Sequence, residues 1–138
     1  MKKVFFSWQH HSNIVDIWLL INRMLLSAFM LTHGTPKFLK LLEGSPYRFS
    51  DPLSLGVGVS LTLAVVSEFV APIFILFGLG ARLASIPVIF TMITAAFVVH
   101  SSDPFATREL ALLYLLGFSW ILALGPGRYS VDKMIHKK

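Results

Sequence analysis

Residues 53–77 form one continuous, overwhelmingly apolar run in which a single ionisable side chain, Glu68, is set well inside. At about 1.5 Å of rise per residue, such a run makes a helix of roughly 37 Å, longer than the ~30 Å hydrocarbon core of a bilayer. It can cross a membrane with some tilt. Pro72 follows four residues after the acid and cannot supply the N–H that would normally bond the Glu68 carbonyl, so the helix is expected to be kinked there. An acid at that depth costs several kcal/mol unless it is paired, which makes it a candidate for function and requires a partner elsewhere in the chain.

Composition places the rest of the chain in the same environment. Of 138 residues, 55% are hydrophobic and 14% charged, against about a quarter charged in a soluble domain. The length suits one domain. The net charge of +5 comes from basic residues that lie mostly at the ends of apolar runs, so it points to anchoring beside anionic lipid headgroups; no nucleic-acid partner is expected. With no cysteine present, disulfides, thiol relays and thiolate metal sites are excluded.

In chain order, residues 1–13 read as a cytoplasmic N-terminal tail and 14–33 as the first span, retained because no small-residue cleavage pattern precedes His33. Asn13 can cap this span, with Asp16 at the positive end of the helix dipole. Arg23, Ser27, Met30 and Gly34 fall on one helical stripe, so the guanidinium shares a face with small residues. Residues 34–51 are too mixed for a span and suggest an interfacial loop or short amphipathic helix. Asp51-Pro52 is a start signal for the second span, 53–77, along which Ala64, Glu68, Ala71 and Ile75 share a face. The third span is 83–99. Asp103-Pro104 then opens a fourth at 105–124, and 125–138 reads as a basic cytoplasmic tail.

These four spans, making up a transmembrane domain at 14–124, define the expected fold: all-α, an integral membrane four-helix bundle, antiparallel up-down, with a kinked second helix. An even number of crossings puts both termini on one side. That side would carry Lys2, Lys3, Arg82, Arg128, Lys133, Lys137 and Lys138, against Lys37, Lys40, Arg48 and Arg108 opposite. The positive-inside rule therefore expects cytoplasmic termini.

Two candidate sites follow. Arg23 is nine residues into the first span and Glu68 nine residues from the end of the second, so with level helix ends both would lie roughly 13 Å deep and could form a buried ion pair or polar site. A second cluster, His33, Lys37, His100 and Glu109, is expected where helix ends converge on the opposite face. Histidine there could handle protons, with the carboxylate orienting it; the competing reading is interfacial anchoring. His10, His11 and His136 lie in the tails, read as solvated side chains, and no metal site is expected.

Arg23, His33-Gly34 with Lys37, Asp51-Pro52, Glu68, Gly78-Leu79-Gly80-Ala81-Arg82, Glu109 and the closing Gly125-Pro126-Gly127-Arg128 together resemble the DoxX family of small bacterial membrane proteins. The resemblance implies a four-helix subunit of the inner membrane. Relatives in that family include the small membrane subunit of a thiosulfate:quinone oxidoreductase, which implies a subunit of a quinone-linked redox complex that binds a quinone or anchors a soluble oxidoreductase. No covalently bound cofactor is implied. The alternative class is a non-enzymatic bundle: a lipid-binding or assembly factor, or a small-solute permease built as a homo-oligomer.

Overall fold

The computed structural model of the chain describes residues 12–135, which leaves Lys2, Lys3, His10, His11, His136, Lys137 and Lys138 outside the described residues. Four long helices make up the fold: α1 (Asn13–Glu43), α2 (Val57–Phe77), α3 (Ala81–Val99) and α4 (Phe105–Leu124), followed by a short α5 (Val131–Ile135). Each of the four is long and apolar enough to cross a bilayer. They run up and down in sequence, with α1 against α2, α2 against α3, α3 against α4, and α4 closing on α1.

The sorting of residues follows from a solvent that is itself apolar. Outward-facing positions carry large hydrophobic side chains such as Trp18, Phe29, Phe74, Phe90 and Trp120, all more than 40% exposed. Inside, small polar groups are tolerated when bonded within the helix: buried Ser85 donates to the Ala81 carbonyl, and buried Ser67 to those of Leu63 and Ala64. The stripe Arg23, Ser27, Met30, Gly34 on α1 is buried throughout, as is Ala64, Glu68, Ala71, Ile75 on α2. Met30, Ile75, Val88 and Phe118 fill the middle of the bundle.

Two helices contain a wider, π-type turn. In α2 it spans Val66–Val70, ending two residues before Pro72, and carries Glu68. In α3 it spans Ala95–Val99, immediately before His100. Such turns shift the side chains that follow them and break the regular ladder locally. The first lies midway along α2, whereas the second closes α3 at the end of the bundle opposite the termini, referred to below as the loop end.

The structure changes the expected boundaries in three places. The first helix does not stop at residue 33: α1 continues through Gly34 and Pro36 to Glu43, so most of the segment expected as an interfacial loop or a separate short amphipathic helix is the continuation of α1. The second starts at Val57 instead of 53, because Asp51 acts from a distance. Its carboxylate accepts the Leu55 and Gly56 amides at 3.0 and 2.8 Å and the Ser60 hydroxyl at 2.6 Å, folding 51–56 into a turn ahead of the helix. The Ser60 hydroxyl is the main reason that this carboxyl lies below its ordinary pKa; desolvation opposes it, and the Gly56 and Leu55 amides add to it.

Third, the tail after α4 does not trail away. Gly127 packs against Leu19, the Arg128 amide donates to Asp16 at 3.0 Å, and the Arg128 side chain reaches Asn13. Asn13 and Asp16 thus hold the tail; the N-cap residue of α1 is Ser12 and not Asn13, while Asp16 lies in the first turn as expected. Asp132 accepts the Gly80 amide at 2.8 Å and its own amide bonds the Gly78 carbonyl, tying α5 over the α2–α3 turn.

Candidate functional site

Arg23 and Glu68 do not meet. The Arg23 guanidinium donates to the carbonyls of Pro126, at 2.6 Å, and Tyr129, at 2.8 Å, and lies against Gly78. Gly78 is ten residues beyond Glu68 along α2, a separation of roughly 15 Å. The expected pair assumed that the helix ends on the terminus side are level. They are not: α1 extends well past the end of α2, and the folded-back tail occupies the space so created. The contact that sets this offset is Gly34, whose Cα lies directly on the Glu68 backbone, leaving no room for a Cβ. Small residues let membrane helices approach in this way.

Lys37, three residues past Gly34, is the partner of Glu68. Its ammonium lies 2.5 Å from both carboxylate oxygens. The carboxylate is almost fully buried, whereas the Lys37 side chain is 29% exposed and passes under the Phe49 ring, 5.7 Å from its centroid. The acid is therefore tolerated in the bundle because a cation descends to it from the loop end. Stacking of Phe38 on Phe69, 4.5 Å apart and nearly parallel, covers the neighbouring helix faces.

The pair lies in the wall between two cavities. The smaller, about 180 Å³, is bordered by His33, Lys37, Glu68, His100, Thr107 and Tyr114, with Met30 and Met92 at its inner side. The larger, about 640 Å³, runs between α2 and α3 and shares Lys37, Glu68, Ala95 and His100 with the smaller. Its length is apolar, from Leu63 and Val66 to Ile86 and Phe90, residues whose outer faces are exposed to lipid. Inside it Thr91 donates to Ser67 at 2.8 Å, next to Glu68.

Of the expected outer cluster, His33, Lys37 and His100 come together, while Glu109 is exposed on α4 and borders neither cavity. Glu68 supplies the carboxylate instead. The His33 ring meets Tyr114 edge-on at 5.7 Å, and His100 Nδ1 is 2.7 Å from the exposed Asp103 carboxylate. Tyr114 and Thr107 were not among the expected residues; the legible signal was Tyr114 on the buried stripe Ala111, Tyr114, Phe118, Ile121. Among the described residues no three histidine or acidic side chains converge as a metal site.

The DoxX family profile matches residues 18–101, more than half of the chain. The chain belongs to the DoxX family. It is similar to the inner membrane protein YqjF of Escherichia coli K12, at 30% identity over 129 residues covering 89% of this chain and 95% of that one. It is also similar to an uncharacterized protein of Haemophilus influenzae, 31% identical over 126 residues covering 84% and 89%. No solved structure matches. This DoxX protein is a multi-pass protein of the inner membrane. The matched DoxX region contains Arg23, the Gly34–Glu68 contact, Lys37 and His100, but ends before Thr107, Tyr114 and the tail that binds Arg23.

Proposed function

We propose that this chain is a membrane subunit of a quinone-linked redox complex, holding a quinone-class lipophile in the α2–α3 cleft with its head at the Lys37–Glu68 pair. The observation that carries this reading is the position of the pair. A cleft of about 640 Å³ falls in the range of small-molecule sites. Its length is apolar, several of its lining residues face the lipid, and the two opposite charges of Lys37 and Glu68 lie together in its wall. A lysine ammonium donates to a ligand carbonyl, and a carboxylate accepts from a ligand hydroxyl, so the pair suits a head that alternates between the two. Thr91 and Ser67 offer further polar contacts beside it.

In this reading the termini are cytoplasmic, following the distribution of basic residues, and the loop end with its cavities faces the periplasm. A soluble oxidoreductase is the partner that would exchange electrons with the bound head.

The test is purification in mild detergent followed by extraction and mass spectrometry of bound lipophiles. Quinone recovered near one per chain, and lost in Lys37→Met and in Glu68→Gln variants that remain folded, is the expected result. Recovery of chain without quinone, and no binding of added ubiquinone or menaquinone analogues, would overturn it.

A further inference from the structure

The smaller cavity is built differently from the cleft beside it. About 180 Å³ is too small for a lipophile of drug size yet ample for several waters, and a cavity holds water when polar groups converge on it. Five hydrogen-bonding side chains do so from three helices: His33 and Lys37 on α1, Glu68 on α2, Thr107 and Tyr114 on α4. His100 adds a sixth at the end of α3. The Lys37 ammonium makes its bonds to Glu68 and has three protons to offer. At the outer edge, His100 is bonded to Asp103, which is 45% exposed beyond the helix end. This gives a sequence of polar groups from solution, through Asp103 and His100, into the cavity and on to the pair.

We propose that the smaller cavity is a hydrated antechamber through which the Lys37–Glu68 pair exchanges protons with the solution at the loop end, separate from the lipid-facing cleft. Its ligand is water. The groups facing Glu68 across it are Lys37 and His33 from α1, His100 from α3 and Tyr114 from α4, so every helix of the bundle contributes to its electrostatics. The antechamber stands on its own lining and does not require the cleft to hold a quinone. Its failure and that of the quinone reading are therefore separable.

The test uses the full chain in lipid nanodiscs and hydroxyl-radical footprinting, in which radicals formed from water oxidise the side chains next to it. Met30 and Met92 are 1% and 5% exposed yet border the cavity, whereas Met24 faces outward. Ala111 also lines the cavity, so Ala111→Leu fills it; Thr107→Leu narrows the same space from the rim if the first variant folds poorly. The expected result is a fall of about fivefold in Met30 and Met92 oxidation on filling, with Met24 unchanged. In parallel, water-edited solid-state NMR of lysine labelled at Nζ should show transfer from water to the Lys37 signal, identified by its loss in Lys37→Arg, and a weaker transfer in the filled variant. Met30 and Met92 oxidised equally in the native and filled proteins, or a Lys37 signal without water contact, would overturn the proposal. So would a cavity that proves to contain a lipid or quinone group.

Discussion

The backbone of Gly34 lies directly on the carbonyl of Glu68, and this single approach sets how far α1 slides along α2. Pro72 has no N–H to offer that carbonyl in the usual helical pattern, so the α2 backbone is altered at the point where α1 comes closest. Gly34→Ala would put a methyl group where the carbonyl is. Relief requires the helices to separate, at a cost of about 1–3 kcal/mol or more. Thermal unfolding in nanodiscs should show the loss, and crosslinking across the α1–α2 interface should show the wider spacing; an unchanged melting curve would mean that the interface has room for a methyl group at residue 34.

The Lys37–Glu68 pair predicts a non-additive mutant series. Lys37→Met leaves a carboxylate that is 4% exposed without its cation, for which a loss of about 3–5 kcal/mol is typical. Replacing both residues with methionine removes the uncompensated charge and should recover most of that stability. Ligand binding, in contrast, should stay lost in the double variant. Urea or thermal titration of the two single variants and the double variant decides the first point, and quinone-analogue binding the second.

Arg23 predicts an effect confined to the opposite end. Its two bonds hold the carbonyls of Pro126 and Tyr129, so Arg23→Met should free the segment after α4, while Arg23→Lys, with one point charge, should hold it only in part. Hydrogen exchange of the amides of Arg128 and Asp132 should accelerate at least tenfold in Arg23→Met. Lys37 and Glu68 should keep their contact. A uniform increase in exchange through the bundle would show instead that Arg23 supports the whole fold.

Acid should loosen the turn before α2. The Asp51 carboxyl titrates lower when folded than when unfolded, chiefly through the Ser60 hydroxyl. Its contribution is therefore complete above the ordinary carboxylate range and disappears as pH falls through the lowered folded value. Amide exchange at Leu55 and Gly56, corrected for its intrinsic pH dependence, should be protected at neutral pH and lose that protection in acid. Asp51→Ala should remove the protection at every pH.

The number, order and character of the crossings were legible because hydropathy over about twenty residues is a strong, local signal. The buried stripes of α1 and α2 were legible too, from the spacing of Ser27, Gly34, Ala64 and Ala71. What the sequence did not disclose was the axial offset of those two helices. That depends on a contact between Gly34 and a backbone atom, and on α1 continuing beyond Pro36, where local composition is mixed. With Lys37 placed at the interface, beyond the first span, the nearest intramembrane cation for Glu68 was Arg23. The anchoring of the tail was not legible for a related reason: it rests largely on backbone carbonyls and amides that meet Arg23, Asp16 and Asp132, which composition does not reveal.

The folded-back tail also bears on what kind of passage the bundle can offer. With Arg23 clasped by carbonyls at one end and Ile75, Val88 and Phe118 filling the middle, the described interior is a blind well: a solute admitted beside His33 and His100 would have to leave by the mouth it entered.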